Sequence, residues 1–114
     1  MADLKQSTSQ IIKFGPFLDA IDGVTPETAL TITQADMQLS KDGAAFAQKN
    51  AIGNAVHDID GWYSITLNTT DTDTLAILEF QVNVVGALAV FKTFSVIRSD
   101  TYDVRYGQGL RPAY

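Results

Sequence analysis

The sequence predicts an all-β domain, an antiparallel β-sandwich of roughly seven or eight short strands with Ig-like or jelly-roll-like character. Three observations predict it. Thr, Val, Ile, Phe and Tyr are frequent along the chain, and these residue types favour strands. Apolar and polar residues alternate in several short segments, which turn residues such as Asp-Gly separate. No segment of about twelve residues has the 3.6-residue period of an amphipathic helix.

The segment from Leu75 to Val85 carries the clearest alternation. Glu79 and Gln81 fall in one row of this predicted strand. The other row is entirely apolar and consists of Ala76, Leu78, Phe80, Val82 and Val84. Successive side chains of a strand point to opposite faces, so the apolar row is predicted to face the core.

The remaining strands are predicted from weaker alternation and from the turns between them. They cover Ser9–Phe14, a broken pair in Ala29–Lys41, a return strand in Ala44–Lys49, Trp62–Leu67 and Leu88–Arg98. Two Asp-Gly turns, at 41–43 and 58–61, separate them, and Thr70 or Asp71 is expected to cap a helical turn at the polar corner 68–74.

The chain of 114 residues is expected to hold one domain with an arm at each end. Residues 1–8 are expected to form a flexible N-terminal arm, residues 9–98 the β-sandwich, and residues 99–114 an extended C-terminal arm. The C-terminal segment is rich in Tyr and Arg, which are enriched at protein interfaces. The residues expected to bind a partner are Tyr102, Arg105, Tyr106, Arg111 and Tyr114.

Composition and motifs predict no enzymatic chemistry and no cofactor. The net charge is −5 without a Lys/Arg cluster, which argues against nucleic-acid binding, and the apolar runs are too short for a membrane span. There is no Cys, and His57 is the only His. No nucleophile elbow and no glycine-rich phosphate loop occurs. We therefore expect no catalytic and no cofactor-binding residue.

Two close carboxylate pairs resemble fragments of a calcium loop. They are Asp58-x-Asp60-Gly61 and Asp71-x-Asp73. Calcium requires six or more oxygen ligands in a set spacing, and neither segment has that spacing. We expect both pairs to serve turns and predict no metal ligand.

Several runs resemble a family of small structural proteins of tailed bacteriophages and prophages. The runs are Asp22–Thr28, Thr31–Asp36, Leu39–Gly43, His57–Tyr63 and Thr70–Leu75, and the resemblance covers roughly residues 2–98. The order of these runs is also similar, more distantly, to the N-terminal attachment domain of phage upper-baseplate proteins. The resemblance implies a β-sandwich component of a virion, assembled in the cytoplasm of a bacterial host, and it implies no catalytic residue.

The resulting hypothesis is a non-enzymatic adaptor or attachment subunit of the tail, baseplate or fibre region. Its terminal arms would contact other phage structural proteins in a symmetric homo-oligomer. One alternative is a head decoration or cement protein of the capsid. A second is a carbohydrate-binding module for host recognition, for which Trp62, Tyr63 and Tyr102 are the candidate aromatic residues.

Overall fold

The computed structural model describes residues 2–106. These residues form two mostly antiparallel sheets and one α-helix, so the prediction of an all-β fold is confirmed. The strands are β1 (Ala2–Lys5), β2 (Gln10–Phe14), β3 (Met37–Lys41), β4 (Ala47–Gln48), β5 (Val56–His57), β6 (Tyr63–Leu67), β7 (Ala76–Val82) and β8 (Val90–Ile97). A 3-10 helix covers Gln34–Asp36, and the α-helix α1 covers Ser99–Tyr106.

The larger sheet of the described chain has the strand order β1-β8-β7-β3-β4. Strands β3, β7 and β8 pair in antiparallel fashion, whereas β1 pairs with β8 in parallel, with Leu4 opposite Val96. A parallel neighbour requires a long connection between the two strands. Here nearly the whole chain lies between them, since β1 is the first strand and β8 the last.

The smaller sheet has the order β2-β6-β5. Ile12 of β2 lies opposite Ile65 of β6, and Phe14 lies opposite Tyr63. All four side chains are buried, while Ile11 and Lys13 on either side of Ile12 are exposed. The period-two pattern of the sequence thus describes this sheet correctly.

One core contains side chains from both sheets. The ring of Phe14 lies 4.9 Å from that of Phe80 across the two sheets, and it also contacts Phe17 at 5.7 Å, both edge to face. Buried Tyr63 completes the aromatic group, with its hydroxyl donating to the Glu27 carbonyl at 2.9 Å. The predicted inward row of β7 is confirmed for Leu78, Phe80 and Val82, which are buried, whereas Ala76 at the start of the strand is exposed.

Both ends of the described chain differ from the expected arms, and residues 107–114 of the expected C-terminal arm lie outside the described residues. Residues 2–5 form strand β1, and Leu4 is buried in the core, so the expectation of a flexible arm is wrong for this part. Residues 99–106 form α1 rather than an extended segment. Both differences arise from contacts between distant parts of the chain, which local periodicity does not reveal.

The predicted strand pair in Ala29–Lys41 is also only partly correct. Its second half is β3, but the first half has no strand and leads into the 3-10 helix. Ile32 is still buried, because it packs into the core from an irregular segment. The predicted hairpin turn at 41–43 is confirmed, with positive φ angles at Asp42 and Gly43.

Candidate functional site

Strand β1 and helix α1 are tied together by side chains from the two ends of the described chain. Arg105 Nη1 and the Tyr106 hydroxyl both donate to Asp3 Oδ2, at 2.5 and 2.8 Å. Lys5 Nζ forms an ion pair with Asp103 Oδ1 at 2.7 Å. We call these five residues the terminal clasp. It holds the C-terminal helix against the edge strand of the larger sheet.

The sequence places these groups so that they can meet. Asp3 and Lys5 are two residues apart on a strand and therefore lie on the same face of β1. On α1, Asp103 and the adjacent pair Arg105 and Tyr106 supply the matching partners. The two hydrogen bonds lower the pKa of Asp3 below its ordinary value. The same carboxylate raises the pKa of Tyr106.

A second group of contacts continues the clasp toward β2. The Gln10 amide nitrogen lies 3.5 Å from the Tyr102 hydroxyl, and the Tyr102 and Tyr106 rings lie 4.4 Å apart. Gln10 Oε1 accepts a hydrogen bond from the Lys5 backbone N–H at 2.7 Å. This bond occupies one of the donors that an edge strand would otherwise present to another chain.

The structure therefore brings together three of the residues predicted to bind a partner. Tyr102, Arg105 and Tyr106 lie on α1 and contact β1 or β2 of their own chain. Arg111 and Tyr114, the other two predicted residues, lie outside the described residues. Sequence reasoning missed Asp3, Lys5 and Asp103. Each of the two segments carries one acidic and one basic residue that could pair crosswise, but they lie about a hundred residues apart and no local pattern pairs them.

The polar corner after β6 is organised by the carboxylate of Asp71. Its Oδ1 accepts from the Asn50 N–H at 2.7 Å, and its Oδ2 accepts from the N–H groups of Ala51 and Asn68 at 3.2 and 3.1 Å. The Asp71 N–H in turn donates to Asn68 Oδ1 at 2.9 Å. Asp71 is only 2% exposed. The sequence predicted that Thr70 or Asp71 caps this turn. In the structure, Asn68 and Asp71 instead hydrogen-bond each other, each side chain accepting from the other's backbone N–H.

Lys49 is the buried cation beside this corner. It is 1% exposed, and its Nζ donates to the Ala51 carbonyl. Burial lowers the pKa of Lys49, and the negative charge of Asp71 opposes that effect. Asp71 is occupied by backbone donors, so the two residues stabilise the 50–51 segment from two sides rather than forming a direct ion pair.

The other acidic residues singled out in the sequence also have structural partners. Asp73 forms an ion pair with Lys41 at 3.0 Å, and Asp58 forms one with Lys13 at 2.7 Å. Asp60 adopts a positive φ in the turn before β6. Across residues 2–106, no group of three or more His, Asp or Glu side chains is arranged to hold a metal ion.

The aromatic residues considered for carbohydrate binding do not share an exposed face. Tyr63 is 1% exposed and belongs to the core, whereas Trp62 and Tyr102 are half-buried. A sugar-stacking platform needs accessible ring faces, which Tyr63 does not provide. In the part of the chain that the structure describes, no helix has the length and apolar character needed to cross a membrane.

No protein-family model, curated protein or solved structure matches this chain. The terminal clasp and the exposed surface of α1 are the structural features that bear on its function.

Proposed function

We propose that this protein is a non-enzymatic structural subunit of a tailed-bacteriophage virion. In this proposal it acts as an adaptor or attachment subunit of the tail, baseplate or fibre region, in several symmetric copies. The sequence resemblance suggests the particle, and the terminal clasp suggests how the subunit works. Both ends of the described chain meet at one edge of the larger sheet, where a neighbouring subunit could contact them together.

We further propose that the two sheets form an antiparallel β-sandwich of Ig-like or jelly-roll-like type. The shared core and the contact between Phe14 and Phe80 support this arrangement. A rigid two-layer body would hold the clasp in a constant orientation, as a subunit of a symmetric particle requires.

The single observation that carries the adaptor role is the remaining surface of α1. The side chains of Asp3 and Asp103 are mostly covered inside the clasp, whereas Val104, between Asp103 and Arg105, is 62% exposed. The Arg105 side chain also remains about half exposed. A short helix fixed to the body and offering an apolar residue beside a cation has the composition of a small protein interface.

The first experiment tests the virion assignment. Tailed particles are purified from a lysate of the strain that carries the gene, and this chain is quantified by mass spectrometry against the major structural proteins. Roughly six to a few dozen copies per particle would support a tail or baseplate position. Hundreds of copies would support the head decoration role instead, and absence from purified particles would refute the proposal.

The second experiment tests the helix surface. Val104→Lys changes an exposed helix position to a residue with better helix propensity, so the clasp is expected to remain folded. Thr93→Lys, on an exposed position of β8, adds the same charge elsewhere and serves as the control. The particle-bound fraction should fall for V104K and stay unchanged for T93K. Equal incorporation of both variants would refute a contact through α1.

A further inference from the structure

Two turns that lie far apart in the sequence are joined by hydrogen bonds and form one surface. The turn 18–26 is a hairpin in which Leu18 bridges Pro26, and residues 84–88 lie alongside it. The Leu88 N–H donates to the Leu18 carbonyl at 2.9 Å, and the Ala20 N–H donates to the Gly86 carbonyl at 3.1 Å. These bonds hold the two turns side by side.

The joint surface presents apolar side chains at positions where turns are normally polar. Ile21 and Val85 are both 96% exposed, and Val24 and Leu88 are exposed as well. We call these four residues the apolar tip. Exposed apolar residues are ordinary when scattered, but a group on two joined turns marks a contact surface.

The apolar tip is held in place by its own hydrogen bonds. The Asp22 carboxylate accepts from the N–H groups of Val24 and Thr25 at 2.8 and 2.9 Å and from the Thr25 hydroxyl at 2.5 Å. The Asp19 carboxylate accepts from the Ile21 N–H at 2.6 Å. Two carboxylates thus fix the backbone of the turn at Ile21 and Val24. A surface ordered before binding loses little conformational entropy when a partner binds.

The charge around the apolar tip has one sign. Asp19 and Asp22 lie in the turn 18–26 and Glu27 directly follows it, and within residues 2–106 none of the three forms an ion pair. The sequence contains no Lys, Arg or His from residue 14 to residue 40 or from residue 83 to residue 91. A hydrogen bond with Asp19 and desolvation by burial, together with the negative charges of Asp19 and Asp22, raise the pKa of Glu27.

We propose that the apolar tip docks into an apolar socket on another protein, and that Lys or Arg side chains border this socket. Charge complementarity selects this occupant, because a basic border would pair with three carboxylates that lack cations of their own. A second copy docking through the same tip would place two acidic borders together, and an anionic lipid surface would repel them. The tip is separate from the terminal clasp and gives the chain a second contact surface.

The first test is site-specific cross-linking in the cells that make the full chain. Val85 is replaced by the photo-crosslinker p-benzoylphenylalanine, and the same replacement at Ile52 serves as the control. Ile52 is 90% exposed, lies in a loop and is also β-branched, but it is not part of the tip. We expect position 85 to cross-link one protein whose attached peptide is apolar and flanked by Lys or Arg, with at least about tenfold lower yield from position 52.

The second test separates charge from shape. Asp22→Asn combined with Glu27→Gln keeps an acceptor for the turn hydrogen bonds but removes two negative charges. Asp42→Asn combined with Glu79→Gln removes two exposed negative charges outside the two turns. At low salt, the cross-link from position 85 should decrease roughly tenfold for the first pair of substitutions and stay unchanged for the second.

Each other outcome would overturn the proposal. In the first test, these outcomes are cross-linking only to a second copy, cross-linking only to lipid, equal yields from positions 85 and 52, or no cross-link at all. In the second test, the contrary outcome is an equal cross-linking yield from the two charge variants. The result is independent of the virion assignment. A cross-linked partner that is not a particle protein would support docking of the apolar tip while contradicting the proposed function. The helix variant V104K is expected to leave the cross-link from position 85 unchanged.

Discussion

Replacement of Asp71 is expected to destabilise the fold more than any other single loss of a carboxylate in the described chain. Asp71→Ala would remove the acceptor of three backbone N–H groups, those of Asn50, Ala51 and Asn68. It would also remove the negative charge that offsets the burial of Lys49. The corner between β6 and β7 and the segment after β4 would lose their common attachment.

The structure sets the size of the effect. A buried donor left without a partner costs about 1–3 kcal/mol. Ala51 is buried and Asn68 is half-buried, so we assign the cost of a lost hydrogen bond to these two N–H groups. Asn50 is exposed, and water can replace the carboxylate as the partner of its N–H. With the loss of charge beside Lys49, we expect D71A to lower the free energy of unfolding by about 4 kcal/mol.

The milder variant Asp71→Asn tests the same reasoning. Its amide has one acceptor oxygen, so it can accept from Ala51 and Asn68 or from Asn50, but not from all three. We expect a loss of about 2 kcal/mol, roughly half that of D71A. Asp60→Asn is the matched control, because Asp60 is exposed in a turn and adopts a positive φ that Asn tolerates.

The assay is urea unfolding followed by Trp62 fluorescence and by circular dichroism. The expected order of destabilisation is D71A, then D71N, with D60N within about 0.5 kcal/mol of the unsubstituted chain. If D71A unfolds within about 1 kcal/mol of the unsubstituted chain, the corner does not depend on this carboxylate and the reasoning is refuted.

Three further predictions concern the clasp, the buried lysine and one glycine. The hydrogen bonds from Arg105 and Tyr106 lower the pKa of Asp3, so docking of α1 is expected to be complete above about pH 4 and to be lost as the pH falls further. Backbone NMR shifts of the helix should report this transition, and Asp3→Asn should remove it. Lys49→Met should stay within about 1 kcal/mol in stability, because an apolar residue avoids the burial of a charge. Gly61→Ala should lower the free energy of unfolding in urea by about 3 kcal/mol or more, because φ is +85° and a Cβ would lie 2.7 Å from the Phe17 carbonyl oxygen. Gly43→Ala is the control: φ is +79° but no atom lies within 4 Å of the new Cβ, so the loss should be about 1 kcal/mol.

Controls and contrary outcomes follow from the same contacts. Burial lowers the pKa of Lys49, so the unfolded chain binds more protons just below about pH 10 and stability should rise with pH there; K49M should lose this rise. A rise that persists in K49M would contradict the assignment to Lys49. Equal costs for G61A and G43A would show that close approach to Phe17 is unimportant. A pH transition of α1 that survives D3N would assign it to another group.

Local pattern was sufficient for the strands that build the core. The alternation in Gln10–Phe14, Tyr63–Leu67 and Ala76–Val82 marks their buried faces, because a strand with one face in the core needs apolar residues at every second position. Asp42-Gly43 marked a turn, because its positive φ angles favour these residues. The terminal clasp was harder to predict from the sequence. Tyr102, Arg105 and Tyr106 were singled out by residue type, but their partners Gln10 and Asp3 were not.

The all-β class, most of the buried strand faces and the main turns could therefore be predicted from local pattern. Contacts across the fold were needed to show that residues 2–5 join the larger sheet, that Ser99–Tyr106 is a helix, and that Asp3 binds both Arg105 and Tyr106. An isolated helix of eight residues is marginal in water, so contacts with β1 stabilise it. Pairing between residues about a hundred positions apart depends on how the whole chain folds, and no local period encodes it.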